Sequence, residues 1–82
     1  MNKIPPLYAQ ENEKDPTVYL IITCMSSRWL ITELDPEKDI AFGWCEPIPG
    51  EGELGYVSLK EIRDLPYPVK YQQTEEKLSK LT

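Results

Sequence analysis

The chain has 82 residues, a formal net charge of −5 and a pI near 4.6, with 40% hydrophobic residues and no histidine. One small domain fits that length, and the acidity disfavours direct binding to nucleic-acid phosphates or to anionic membranes. Without histidine the commonest general base and the commonest zinc ligand are missing, so neither a Ser/Cys–His nucleophile nor a structural zinc site is expected.

Residues 1–16 read as a polar arm marked by Pro5-Pro6 at one end and Asp15-Pro16 at the other, with Leu7 and Tyr8 pinning it to the core. No apolar h-region follows Met1, and the longest apolar run, residues 18–22, is too short to span a bilayer. A cytoplasmic location is therefore expected. Residues 17–25 (TVYLIITCM) are rich in β-branched side chains and predict a central strand, with Val18, Leu20, Ile22 and Cys24 on one face. Ser26-Ser27 signals a turn, and residues 28–34 (RWLITEL) a returning strand. Pro36 within Asp35-Pro36-Glu37-Lys38-Asp39 is pre-set for a second turn.

A third strand is expected over residues 40–46 (IAFGWCE), where Gly43 permits close approach by a neighbour. Residues 47–53 (PIPGEGE) are expected to be an exposed irregular loop, and residues 54–57 a short fourth strand. Ser58-Leu59-Lys60-Glu61 matches a helix capping box, and Leu59, Ile62 and Leu65 form one apolar stripe until Pro66 stops the helix. Residues 69–71 predict a short extended segment, and those from Thr74 onward a helical turn or frayed tail. The expected fold is α+β, a three- to four-stranded antiparallel meander with one short helix on one face. It divides into an arm (1–16), a domain (17–73) and a tail (74–82).

Pro5-Pro6-Leu7-Tyr8, then the run from Trp29 to Pro36 (WLITELDP), then Phe42-Gly43, then the run from Glu53 to Ile62 (ELGYVSLKEI) occur in that order. This order resembles a family of small proteins of unknown function encoded by plasmids, integrative elements and phages, over about residues 4–71. The resemblance implies a mobile-element accessory protein and brings no catalytic residues with it. By that resemblance this sequence is expected to be shorter than the family's usual form at its N-terminus, where a lead-in helix is common.

Four candidate sites follow from the residues. The first is an acidic belt of Glu33, Asp35, Glu37, Asp39, Glu46, Glu51 and Glu53, opposed only by Lys38, which carries −6 against +1 for the rest of the chain. Such a belt either solubilises the surface or imitates phosphates for a basic groove. Second, Asp35, Glu37, Asp39 and Glu46 imitate the spacing of a calcium loop. Ile40 stands where that loop needs glycine, however, and strands flank it instead of helices. Third, among the aromatics, Trp29 and Trp44 are expected in the core, and Tyr67 and Tyr71 as exposed partner anchors. Fourth, Ser58 beside Glu61 is read as a helix cap and not as chemistry. Cys24 and Cys45 are expected as reduced thiols.

These readings converge on a non-enzymatic protein with no cofactor and no metal. It would bind a host protein with a basic surface, such as a defence nuclease complex of the restriction or CRISPR type. The alternative is a self-associating accessory protein, a homodimer through an exposed sheet edge.

Overall fold

The computed structural model describes residues 4–82; residues 1–3 of the expected arm lie outside them. Five strands form one antiparallel sheet: β1 (Thr17–Cys24), β2 (Ser27–Asp35), β3 (Ile40–Ile48), β4 (Glu51–Ser58) and β5 (Lys70–Lys77). Two short helices follow β4 and β5: α1 (Leu59–Arg63) and α2 (Leu78–Leu81). The strand order is β4-β3-β2-β1-β5. The first four strands are thus a meander, and β5 returns to pair with β1 on the far edge.

The meander is the expected one, but the sheet has five strands, not three or four. β5 (KYQQTEEK) has seven exposed positions out of eight. It is a strand because its backbone completes the ladder along β1, from Thr17↔Lys77 to Thr23↔Lys70. It also runs through the boundary placed at residue 73. A second correction concerns residues 47–53. Pro47 and Ile48 continue β3, Glu51 to Glu53 begin β4, and only a tight turn at Pro49-Gly50 separates them, with Gly50 at φ +86°. The β3–β4 register shifts between Cys45 and Ile48, so Pro47 sits at an irregularity where the ladder does not require its missing N–H.

Each sheet face carries its own core. On one face Ile22, Ile31, Ala41 and Val57 pack under Ile62 of α1, with Leu59, Leu65 and Trp29 around them. Ser58 caps α1 as predicted, its hydroxyl accepting from the Glu61 amide at 3.3 Å. On the other face Val18 and Leu30 are covered by Leu78 of α2, flanked by Ile21, Trp44 and Leu81. Val18 therefore parts from Leu20 and Ile22, with which simple alternation had grouped it. The ladder from β1 to β5 shifts register between Val18 and Leu20, and that irregularity changes the face. Both cysteines are free thiols, and burial followed by the charge of Glu53 pushes the Cys45 thiol up from its ordinary value.

Candidate functional site

The arm is tied to the end of β2 by buried polar groups. The Leu34 amide donates to the Pro5 carbonyl at 2.9 Å. Glu33, only 4% exposed, lies beside a register shift of β2 against β3. Its two carboxylate oxygens accept from the Tyr8 and Gln10 amides, each at 2.8 Å. The Gln10 side chain donates to the Thr17 and Thr32 carbonyls and accepts from the Thr17 amide. One carboxylate and one carboxamide thus satisfy backbone groups that the arm and two strands leave unpaired. They also hold Tyr8 at φ +73°, a left-handed conformation uncommon outside glycine.

This bracing places Tyr8 beside β4. The Tyr56 hydroxyl donates to the Tyr8 hydroxyl at 3.1 Å. The Tyr56 ring meets Phe42 edge-on, with centroids 5.2 Å apart and planes at 72°. Between the arm and the β3–β4 edge lies a cleft of about 240 Å³ whose walls include Tyr8, Phe42, Leu54 and Tyr56, with Glu11, Glu13 and Glu33 as its acidic members. Among the described residues no lysine or arginine lines it. The hydrogen bond to Tyr8, then desolvation, then the negative charges of Glu33 and Glu11 raise the Tyr56 phenol above its ordinary value. Tyr8, Tyr56 and Leu54 are each about half exposed or more, so a wet aromatic and aliphatic surface stands next to carboxylates.

The predicted acidic belt does not form one surface. Glu33 and Glu46 are buried. Glu46 accepts from Trp44 Nε1 at 2.9 Å, from Arg28 at 3.2 Å and from the Gly50 amide at 3.4 Å, and these bonds, the one from Trp44 foremost, hold its carboxyl below the usual range. Asp35 accepts from the Glu37 and Lys38 amides and so shapes the β2–β3 turn. Asp39 is gripped by the Arg63 guanidinium, with one contact at 3.0 Å, which lowers its carboxyl and locks α1 to that turn. Glu37, Glu51 and Glu53 remain exposed. They lie apart along β3, however: Glu51 pairs with Ile48 at one end, Glu53 pairs with Cys45, and Glu37 precedes Ile40 at the other end, on the order of 15–25 Å away. The same separation takes Glu46 away from Asp35 and Asp39, so the calcium-like spacing is not brought together. No cluster of three metal-ligating side chains occurs among the described residues. Tyr67 and Tyr71 are exposed, at 54% and 53%, and lie on the loop before β5 and on β5 itself. Trp29 and Trp44 pack against the two cores as expected.

Sequence reasoning missed Tyr8, Glu11, Glu13 and Tyr56 as a site. The available signal was Glu33, a carboxylate in the otherwise apolar run of β2, which implies a buried donor partner.

The geometry defines a class: a five-stranded antiparallel sheet covered by a short helix on each face, with an arm folded over one end to make an acidic, aromatic cleft. The chain belongs to the family described as protein of unknown function (DUF2958), whose model matches residues 4–79. No curated protein and no solved structure matches it.

Proposed function

We propose that this chain is a non-enzymatic binding protein that engages a basic protein surface through the cleft between its arm and β4. The observation carrying this reading is the cleft's composition: three carboxylates and exposed tyrosines, with no cation among the described residues that line it. Tyrosine and aliphatic groups at such a place provide contact area, and the net charge of −5 steers a cationic partner toward it. The finer reading is an accessory protein of a plasmid or phage whose target is the basic groove of a host defence nuclease. It draws on the resemblance and on the chain's small size and acidity.

Expression of the chain in a host with active restriction or CRISPR interference should raise the plating efficiency of a targeted phage. An unchanged plating efficiency across both defence types sinks the defence role. In a pull-down eluted by salt, the Glu11→Lys/Glu13→Lys variant should lose the partner, whereas Glu51→Lys, at the β3–β4 turn roughly 20 Å along β3 from Phe42, should retain it. Equal loss in both variants would leave only a diffuse charge effect.

The second reading, self-association, is favoured by a separate observation. Among the described residues the outer edges of β4 and β5 have no neighbour within the sheet, and open edges are templates for strand addition. Sedimentation of the isolated chain distinguishes the two, since a stable homo-oligomer that captures no host protein supports the second.

A further inference from the structure

We propose that the cleft between the arm and β4 is a receptor for a single arginine side chain presented by the partner protein. This rests on the binding reading above and adds the chemistry of what enters the cleft.

The volume comes first. At about 240 Å³ the cleft falls below the roughly 300–1,000 Å³ of sites for whole small molecules. It suits one long side chain better than a cofactor. Charge comes next. Glu11 and Glu13 border it on the exposed arm, Glu33 stands in its wall, and among the described residues no lysine or arginine lines it; Lys38 lines a separate groove that shares Tyr8. The arm uses one acceptor site on each oxygen of Glu33. A carboxylate oxygen offers two such sites, which leaves acceptor capacity on each. The third property is aromatic. Tyr8, Phe42 and Tyr56 present rings to the same space, and the Phe42–Tyr56 contact together with the Tyr56–Tyr8 hydrogen bond fixes their relative positions before any partner arrives.

Rings beside carboxylates select a cation that has both an apolar face and directed donors. Guanidinium meets that description: it is planar, weakly hydrated, stacks on aromatic rings and forks onto carboxylates. Lysine carries the same charge as a strongly hydrated point and stacks less well.

The test is a ¹H–¹⁵N titration of the full chain at low salt with a capped Gly-Arg-Gly peptide, in parallel with the neutral isostere Gly-citrulline-Gly and with Gly-Lys-Gly. The arginine peptide should give saturable shifts concentrated at Tyr8, Gln10, Phe42 and Tyr56. Affinity should fall at least about five-fold for citrulline and about two- to three-fold for lysine. The Glu11→Gln/Glu13→Gln variant changes only exposed arm residues, and it should weaken the arginine peptide about five-fold. Tyr56→Leu keeps an apolar residue on the edge strand and should weaken it similarly. Equal responses to arginine and citrulline, shifts located elsewhere, or no saturable shift would each overturn the proposal. A host partner captured normally by Glu11→Gln/Glu13→Gln and not displaced by the arginine peptide would also overturn it, leaving only binding at another surface. Arginine-peptide binding at the cleft with no host partner would leave this site standing and remove the wider function.

Discussion

Glu33 is the residue on which the arm depends. Two amides donate to its carboxylate in a nearly closed environment, and bonds to a charged acceptor are worth more than neutral ones. Glu33→Gln keeps the size but replaces one acceptor oxygen with an NH₂ that faces an N–H. We expect a loss of about 2 kcal/mol in urea unfolding, with faster hydrogen exchange at the Tyr8 and Gln10 amides than elsewhere. Uniform exchange would mean that the arm is held by something else. Glu46 makes a different prediction. Its folded-state carboxyl lies below the ordinary value of 4.5 because Trp44, Arg28 and the Gly50 amide favour the charged form. Its contribution to stability is therefore present above about pH 4.5 and is lost as pH falls through the lower folded-state value. Asp39, held down by Arg63, and Asp15, held down by the Ser79 hydroxyl and amide, act in the same direction. Thermal melts from pH 7 to pH 3 should show the midpoint falling below about pH 4.5, and Glu46→Gln should flatten that slope.

At the scale of elements, β2 and β3 leave no room for a side chain at Gly43. A Cβ there would fall on the Leu30 carbonyl oxygen and come within 2.9 Å of the Ile31 Cα, and both obstacles are backbone. Gly55, its partner across the β3–β4 ladder, has nothing within 4 Å of the same atom. Gly43→Ala should cost on the order of 3 kcal/mol, whereas Gly55→Ala should change the denaturant midpoint little. Comparable losses for both would contradict the close approach of the two strands. How far these elements are legible in the sequence depends on what makes each one. β1, β2 and β3 carry apolar, β-branched runs, and α1 carries its cap and stripe, so local chemistry announces them. β5 carries none, since its alternation is polar on both faces and only the hydrogen bonds of β1 define it. Pro47 misled for a related reason, because a register shift that no single sequence displays is what makes room for it. The cleft was illegible because Tyr8, Glu33 and Tyr56 are separated by 25 and 23 residues and are brought together by the arm's fold.

The molecule as a whole has two thin cores and little to spare. A chain of this length buries only roughly 60–65% of the surface its unfolded form exposes, and domains are stable by roughly 5–15 kcal/mol. One core depends on α2, a single helical turn whose Leu78 packs on Val18 and Leu30. Leu78→Ala should cost about 3 kcal/mol and so consume a large part of the total. Urea unfolding measures the loss, and dye binding to newly exposed apolar surface should rise with it. A midpoint within error of the parent would mean that α2 is not the cover of that face.

The clasp between the two ends of the fold has a consequence in time. Asp15 holds the Ser79 amide at 2.9 Å and its hydroxyl at 2.7 Å, while the Pro16 carbonyl accepts from the Leu78 amide, across 64 and 62 residues. Closing a loop that long costs about 4 kcal/mol in chain entropy before any contact repays it. During synthesis β1 is made early, but its second neighbour, β5, arrives only after the rest of the sheet. Until residues 70–81 emerge, the nascent chain holds β1 as an open edge and leaves Val18 and Leu30 uncovered. In the cell that interval is the protein's period of greatest exposure to chaperones and proteases. The arrival of residues 70–81 decides how long that period lasts.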